Sequence, residues 1–433
     1  MEACKTVSVF LLGCPKNQVD AEFMLGALRQ SGYSCVSDPS RANLIVVMTC
    51  AFISAAVGES CTMIRRMVRV KNARSDCQVV VAGCLVQRFG RRLCRTFPGV
   101  DLWVGLDQLR DIPRLLRLRS NFCCSVPPRT LPSSRMPRLR DFPKHYAYLK
   151  IADGCSNFCS YCLIPSIRGT LRSRRIPDIL AEARELVAGG AKELILVAQD
   201  TTAYGQDYSG RSQLAQLLIA LEQIDGLRWL RLMYCHPLHL DVEVIEQFRT
   251  NPKLCRYVDL PIQHVVSRIL RRMNRHYTQA GLSRLLTRLR RVPDLAIRTT
   301  VITGFPGETV DEFRQLLNFV RLARFERLSG YVYSSESGTA AAGFPRQVPI
   351  RVRACRLRRL MRLQASISRA RLKGLVGREI EVMVDSPRIG RTEWDAPEVD
   401  GVVRIVGAEP EPGTLVRCRV VRSLTHDLVA QVL

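Results

Sequence analysis

The chain has 433 residues, which at roughly 150 residues per domain predicts about three domains. Its residues are 47% hydrophobic and 24% charged, a composition that excludes the disordered and fibrous classes. The 65 lysines and arginines exceed the 39 acids by 26, and such a field attracts polyanions such as RNA, DNA or an anionic membrane surface. An arginine-rich proteome would produce the same excess without such a partner.

The 17 cysteines are an odd number spread over a long chain, unlike the cysteines of a small secreted disulfide scaffold. The early apolar run of residues 7–12 lacks the basic flank and the small-residue cleavage site of a signal peptide. No stretch approaches the roughly 20 apolar residues that a membrane helix needs. We therefore expect a reducing cytoplasm, where clustered cysteines more often hold metal or do chemistry.

Three buried strands are predicted in the first hundred residues, and a cysteine follows each one. The apolar runs 7–12, 44–49 and 79–82 lead to Cys14, Cys50 and Cys84, with helical segments between them. This alternation predicts a parallel sheet, in which ligands bind beyond the carboxyl ends of the strands. One such cysteine is commonly a small buried hydrophobe, but three in the same structural position predict a shared metal site.

A proline-rich, basic segment of residues 121–143 is predicted to link the N-terminal domain, residues 1–120, to a second domain. Residues 110–150 carry ten basic residues against two acids, Asp111 and Asp141. This charge serves either a solvated tether or the docking of a partner.

The second domain, residues 144–373, is predicted to be a partial parallel (β/α) barrel with its site at the carboxyl ends of the strands. The candidate strands are residues 146–151, 193–198, 229–234, 257–260, 297–303 and 328–333. A helix over residues 178–188 is predicted to end at Gly189 and Gly190, because glycine readily adopts the left-handed C-terminal cap.

The C-terminal part begins with a basic helix and ends in a β-rich block. Residues 351–373 contain nine basic residues and no acid, with leucines at helical spacing. From residue 374 to 433 the hydrophobic period changes to two, which predicts a small β-barrel of a kind often used on nucleic acid. The predicted class is therefore α/β, with a parallel-sheet domain, a partial barrel and a terminal β-barrel.

The strongest local signal is a C-x3-C-x2-C run, formed by Cys155, Cys159 and Cys162 on the loop after a predicted strand. Three thiolates this close can each hold one iron of a cubane and leave the fourth iron open for catalysis. Zinc sites usually close with a fourth Cys or His, typically in paired C-x2-C elements. The spacing therefore favours an iron-sulfur cluster over zinc.

This run resembles the signature of the radical S-adenosylmethionine (SAM) enzymes. The resemblance implies that SAM chelates the open iron and that an electron from the cluster cleaves it to a 5'-deoxyadenosyl radical. It also implies SAM contacts for Tyr161 beside the adenine, for Gln199, and for Gly304 in the glycine element of residues 301–308. The alternative for Gly304 is a plain turn.

The whole chain resembles a narrower family, the methylthiotransferases, in which a three-cysteine domain, a radical SAM core and a TRAM domain follow in this order. The resemblance implies a second, auxiliary 4Fe-4S cluster on Cys14, Cys50 and Cys84. Several segments are similar to the RimO-like group, which modifies an aspartate of the small-subunit ribosomal protein numbered twelve. They are residues 13–20, 163–169, 199–205, 261–264 and 395–401.

The implied reaction uses SAM twice, once to methylate sulfur at the auxiliary cluster and once to take hydrogen from the aspartate β-carbon. The expected partners are the ribosomal protein or a ribosome-assembly intermediate, an electron donor and, through the basic surface, rRNA, with no membrane. Two alternatives stay open: a MiaB-like enzyme that modifies adenosine in tRNA, and a non-enzymatic iron-sulfur or zinc protein that binds RNA. His236, His264 and the other eleven cysteines are expected to be structural.

Overall fold

The computed structural model describes residues 5–74, 76–140 and 143–433. The chain divides into two compact units. The first unit comprises residues 1–142, 150–158 and 162–182, and the second comprises residues 143–149, 159–161 and 183–433. Cys4 and Asp141, which entered the sequence predictions, lie outside the described residues. Within the described ranges, no helix is long and apolar enough to cross a membrane.

The first unit is built on a six-stranded sheet. Its strands are β1 (Lys5–Leu11), β2 (Tyr33–Cys35), β3 (Leu44–Thr49), β4 (Gln78–Gly83), β5 (Leu102–Val104) and β6 (Phe122–Cys123). Their order is β2-β1-β3-β4-β5-β6, and all pairings are parallel. The three predicted strands correspond to β1, β3 and β4, which are neighbours, so their carboxyl ends lie side by side.

Helices cover both faces of this sheet. They are α1 (Pro15–Gln30), α2 (Ser54–Asn72), α3 (Cys84–Phe89), α4 (Arg92–Thr96) and α5 (Ile112–Arg117), with 3₁₀ turns at Pro39–Arg41 and Leu109–Asp111. Every residue of β3 is buried. Alternate side chains point to opposite faces of a strand, and accordingly Ile45 and Val47 belong to one hydrophobic core, whereas Leu44 and Val46 belong to another.

The segment predicted as a linker takes part in the packing of the first unit. Strand β6 pairs with β5, so the sheet extends into residues 121–143. Further along, the Arg138 guanidinium pairs with Glu22 of α1 and with Glu182. A Cβ atom on Gly26 would lie 2.1 Å from the Pro137 carbonyl oxygen, because α1 and this segment pack closely. Part of the segment's positive charge is therefore used inside the protein.

Beyond residue 143 the chain forms the predicted βα series. Its elements are β7 (Tyr146–Lys150), β8 (Ala152–Asp153), α6 (Ile164–Arg168), β9 (Arg172–Ser173), α7 (Ile176–Ala188), β10 (Glu193–Val197), α8 (Gln206–Ser209), α9 (Leu214–Glu222), β11 (Trp229–Leu232), α10 (Val242–Thr250), β12 (Leu254–Asp259), α11 (Ser267–Arg272), α12 (Gln279–Leu289), β13 (Ala296–Thr303), α13 (Val310–Ala323) and β14 (Arg327–Val332), with a 3₁₀ turn at Ala340–Gly343.

Six of these strands form one sheet in the order β14-β13-β12-β11-β10-β7. They correspond to the six strands predicted from the sequence. Helix α7 ends at Ala188, and Gly190 has a positive φ of 99°, in agreement with the predicted glycine cap. Strands β8 and β9 form a separate two-stranded ribbon in the first unit.

The C-terminal part is a long helix followed by a closed barrel. Helix α14 (Ile350–Lys373) precedes β15 (Glu379–Ser386), β16 (Ile389–Arg391), β17 (Val403–Val406), β18 (Leu415–Ser423) and β19 (Leu428–Val432). These five strands close in the order β15-β16-β17-β19-β18. Buried Glu193 of β10 pairs with Arg231 of β11 at 2.6 Å and with Arg391 of β16 at 2.5 Å, so the barrel is joined to the large sheet. The predicted fold class is confirmed.

Candidate functional site

The structure brings Cys14, Cys50 and Cys84 together at the carboxyl edge of the first sheet. Cys14 is the N-cap residue of α1, Cys50 follows β3 directly, and Cys84 is the first residue of α3. Gly13 has a φ of 111°, and a Cβ atom on it would lie 3.1 Å from the Cys50 Cβ atom. This close approach requires glycine before the first cysteine.

Two polar side chains tie the three strand ends to one another. The Asn17 amide donates to the Leu12 carbonyl at 3.0 Å and to the Thr49 carbonyl at 3.1 Å. The Thr49 hydroxyl donates to the Ala82 carbonyl at 2.6 Å and accepts from the Leu85 amide at 3.2 Å. Because both side chains are buried, these bonds fix the spacing of the loops that carry the cysteines.

The three thiols differ in their surroundings. Burial raises the pKa of the Cys84 thiol to about 11 and also raises the pKa of Cys50. For Cys14, burial also acts to raise the pKa, but Lys16 and Arg168 bring the net value below the ordinary one. In all three thiols the positive charge of Arg168 acts to lower the pKa, even where burial leaves the net value raised. This charge favours the thiolate, which is the form that binds metal.

Arg168 lies in a buried network of charges within the first unit. Its Nη1 atom donates to both carboxylate oxygens of Asp153, at 3.1 and 2.9 Å, and its Nη2 atom donates to Asp20 at 3.0 Å. Lys150 pairs with the same two acids. Although burial opposes it, Arg168 and Lys150 hold the pKa of the Asp153 carboxyl far below its usual range. Removing one partner of such a buried set typically costs about 3–5 kcal/mol.

The donors at the strand-end site fit an iron-sulfur cluster. Cys14, Cys50 and Cys84 offer sulfur only, the donor that clusters select. Three thiolates suit a cubane because each can bind a different iron of the cluster.

The Cys155–Cys162 loop contributes residues to both units, and the first unit holds Cys155 and Cys162. The Cys155 amide donates to the Gly169 carbonyl at 3.0 Å, and the Cys162 sulfur accepts from the Ile164 amide at 3.4 Å. A Cβ atom on Gly154 would lie 2.0 Å from the Thr170 carbonyl oxygen. Glycine before Cys155 thus allows the backbone at residue 154 to pack directly against the backbone at Thr170.

Cys159 and Tyr161 belong to the second unit. The buried Arg275 donates to the Tyr161 hydroxyl at 3.5 Å and lies 3.9 Å from the Cys159 sulfur. The Tyr161 ring meets Phe305 edge-on at a centroid distance of 6.4 Å. An arginine beside a thiolate favours the charged ligand form, and the all-cysteine donor set of this loop also fits a cluster.

The structure gives Gly304 a packing role. Its φ is 72°, and a Cβ atom would lie 2.3 Å from the Arg353 Cγ atom of α14. The Glu308 carboxylate accepts from the amides of Gly304 and Phe305 and closes the turn. Burial raises the pKa of Glu308 to about 7, despite its ion pair with Arg356. Gln199 lies just after β10 and is half-buried.

A further polar cluster, which the sequence analysis did not predict, lies after β10 and β11. The buried Asp200 carboxylate is 2.7 Å from the His239 Nδ1 atom and accepts from the Thr202 hydroxyl at 2.6 Å. His236 stacks on His239 with ring centroids 4.9 Å apart. A fixed imidazole–carboxylate pair can orient or exchange a proton. The sequence feature that could have revealed this cluster is the position of its polar residues directly after predicted strands.

The two histidines of the sequence analysis are both buried. The Nδ1 atom of His236 accepts from the Leu238 amide at 3.2 Å, and that of His264 accepts from the Val266 amide at 3.1 Å. Burial lowers the pKa of both, to about 3 for His264. Both side chains are therefore neutral near pH 7.

Three family models match consecutive parts of the chain. They are described as "Uncharacterized protein family UPF0004" for residues 6–105, "Radical SAM superfamily" for residues 149–320 and "TRAM domain" for residues 376–433. Ribosomal protein uS12 methylthiotransferase RimO of Trichlorobacter lovleyi is 43% identical to this chain, over 100% of this chain and 99% of that protein. The RimO of Myxococcus xanthus is 44% identical, over 99% and 92%.

This chain belongs to the RimO family of methylthiotransferases. Enzymes of this family are radical SAM enzymes that use SAM and 4Fe-4S clusters. The predicted family, enzyme class and cofactors are thereby confirmed.

Solved structures support the fold alone. The radical SAM methyltransferase TsrM from Kitasatospora setae has a TM-score of 0.58 and 15% identity, with 78% of this chain and 77% of that chain covered. The cobalamin-dependent SAM radical enzyme OxsB has a TM-score of 0.52 and 11% identity, with 78% and 55% covered.

Proposed function

We propose that this protein attaches a methylthio group to the β-carbon of an aspartate in the small-subunit ribosomal protein uS12. The relatives that match over essentially the whole chain carry this substrate in their names. The observation that carries the proposal is the presence of two separate all-cysteine triads, one at three adjacent strand ends and one in the C-x3-C-x2-C loop. A structural zinc or RNA-binding module needs no second triad of this kind.

We assign a different cluster to each triad. Cys155, Cys159 and Cys162 hold the SAM-binding cluster, and Cys14, Cys50 and Cys84 hold the auxiliary one. When bound, the first cluster supplies the electron that cleaves SAM to a radical able to take hydrogen from an unactivated carbon. The chain's own residues hold the surroundings in place, because Arg275 joins Cys159 to Tyr161 and Phe305 packs against that ring. Tyr161, Gln199 and Gly304 are proposed SAM contacts.

The proposed division of labour follows the order of the domains. Residues 1–120 carry the auxiliary cluster, and residues 144–373 form the radical SAM core. Residues 374–433 form the TRAM domain. Residues 121–143 connect the first two. We place the reaction in the cytoplasm, with a ribosomal protein or a ribosome-assembly intermediate as the partner and a separate electron donor as the reductant.

We further propose that α14 contacts rRNA. Six basic side chains of this helix are exposed, and five of them return to one face at spacings of seven, four, seven and four residues: Arg351, Arg358, Arg362, Arg369 and Lys373. At 1.5 Å per residue the stripe is about 33 Å long. Like charges four residues apart destabilise a helix, so a row of phosphates would relieve the repulsion within this stripe.

An anaerobic assay tests the proposed activity. Purified protein reconstituted with iron and sulfide, and supplied with SAM, a sulfide source and dithionite, is expected to add the mass of one methylthio group to uS12. The Cys159→Ala variant is expected to form no 5'-deoxyadenosine. The Cys50→Ala variant is expected to form it but to transfer no methylthio group, since each triad has its own role. Loss of SAM cleavage in a folded Cys50→Ala protein that keeps the Cys155–Cys162 cluster would contradict this division.

A further inference from the structure

The Arg168 side chain reaches the auxiliary cysteines from the loop that follows the SAM cysteines. It lies six positions after Cys162, at the end of α6, and is 2% exposed. Its Nη2 atom lies 3.6 Å from the Cys84 sulfur, 2.6 Å from the Asn17 Oδ1 atom and 3.0 Å from the Asp20 carboxylate. The same nitrogen thus faces a sulfur and the polar groups of α1, all within the first unit.

The surrounding groups hold this nitrogen in one position. Asp153 binds the Nη1 atom through both of its oxygens. Asn17 is itself fixed by two backbone carbonyls. Arg168 and Lys150 are matched by two acids, Asp20 and Asp153, so the network is balanced without any charge from the cysteines. The contact with Cys84 is therefore not required to neutralise Arg168.

A donor fixed beside a cluster sulfur has a known physical effect. Reduction adds one electron to a cluster and makes its sulfurs more negative. Hydrogen bonds to those sulfurs and nearby positive charge stabilise the reduced state and raise the reduction potential. In a buried site this effect is strong because little water screens the charge.

We propose that Arg168 is a positioning residue that raises the reduction potential of the auxiliary cluster by donating an N–H to the sulfur at Cys84. The inference rests on the proposed assignment of Cys14, Cys50 and Cys84 to that cluster. The segment after Cys162 would then also set the reduction potential of the sulfur-donating cluster.

The test uses a full-length variant in which Cys155, Cys159 and Cys162 are all alanine, so that the auxiliary cluster alone is reconstituted. A titration with dithionite, followed by electron paramagnetic resonance, gives its midpoint potential. Adding Arg168→Gln is expected to lower the equilibrium constant for reduction at least tenfold, which for one electron is about 59 mV. Arg168→Lys, which keeps the charge but not the planar fork, is expected to give a smaller fall.

Arg138→Gln is the matched control. The Arg138 side chain is only 6% exposed and pairs with two carboxylates of the first unit, those of Glu22 and Glu182, so its loss reports general disturbance of such ion pairs. We expect it to leave the potential unchanged. An unchanged potential in the Arg168→Gln variant, or an equal fall in the control, would overturn the inference.

Two further outcomes separate this inference from the cluster assignment. If the Arg168→Gln variant does not retain iron, the potential of the Arg168→Lys variant is the test. An unchanged potential in Arg168→Lys would reject the role of Arg168. Absence of iron from the background that lacks only the three SAM cysteines would instead reject the auxiliary cluster itself, and the inference with it.

Discussion

Asn17 and Thr49 explain how cysteines far apart in the sequence come to share one site. Each side chain bonds to backbone at the end of a neighbouring strand, so the three loops keep a fixed spacing. The cysteines could be predicted because each follows an apolar run by one or two residues. The role of Arg168 could not be predicted from the sequence, because its partners Asp20 and Cys84 lie 148 and 84 positions away. The available sequence signal was an arginine at the end of the mostly apolar run of residues 163–169.

The iron content of the reconstituted protein tests whether both cysteine triads hold a cluster. Reconstituted protein is expected to bind about eight irons, four for each cubane. Cys84→Ala should lower this to about four, because the auxiliary cluster loses a ligand. Cys61→Ala is the control, since Cys61 lies in α2 of the same unit and is half-buried. Iron and acid-labile sulfide assays measure this content. About four irons in the unchanged protein, with the same value in Cys84→Ala, would reject the auxiliary cluster.

Among the elements, periodicity predicted the long strands and α14 but not the segment between the domains. Proline density suggested an extended tether, whereas β6 adds to the sheet and the Arg138 side chain pairs with two acids. A two-residue strand has too little periodicity to detect. The ion pairs of Arg138 could not be inferred either, because Glu22 lies 116 positions away in the chain.

The stripe on α14 leads to a prediction about salt. If each exposed side chain meets one phosphate, changing Arg358, Arg362 and Arg369 to Gln should lower the slope of log affinity against log salt by about three, one per contact. The measurement is binding of a small-subunit rRNA fragment across a series of salt concentrations. The control changes Arg284, Arg288 and Arg314 to Gln, three exposed arginines of α12 and α13. Equal slopes in the two variants would reject the stripe as the contact.

For the molecule as a whole, the excess of 26 positive charges bears on affinity more than on the reaction. Buried arginines such as Arg231, Arg356 and Arg391 are paired with acids, so the excess falls on more exposed residues. Phosphate contacts carry no sequence information, and the same field would attract tRNA or rRNA. The substrate must therefore be decided by measuring which macromolecule is modified.

The identity of that modified group decides between uS12 and tRNA as the substrate. Deleting the gene is expected to remove the mass of one methylthio group from uS12, because the proposed substrate is its aspartate side chain. The methylthioadenosine of tRNA is expected to stay unchanged. Mass spectrometry of the ribosomal proteins and of the digested tRNA from the same cells measures both. A uS12 of unaltered mass, together with loss of the tRNA modification, would contradict the proposed function.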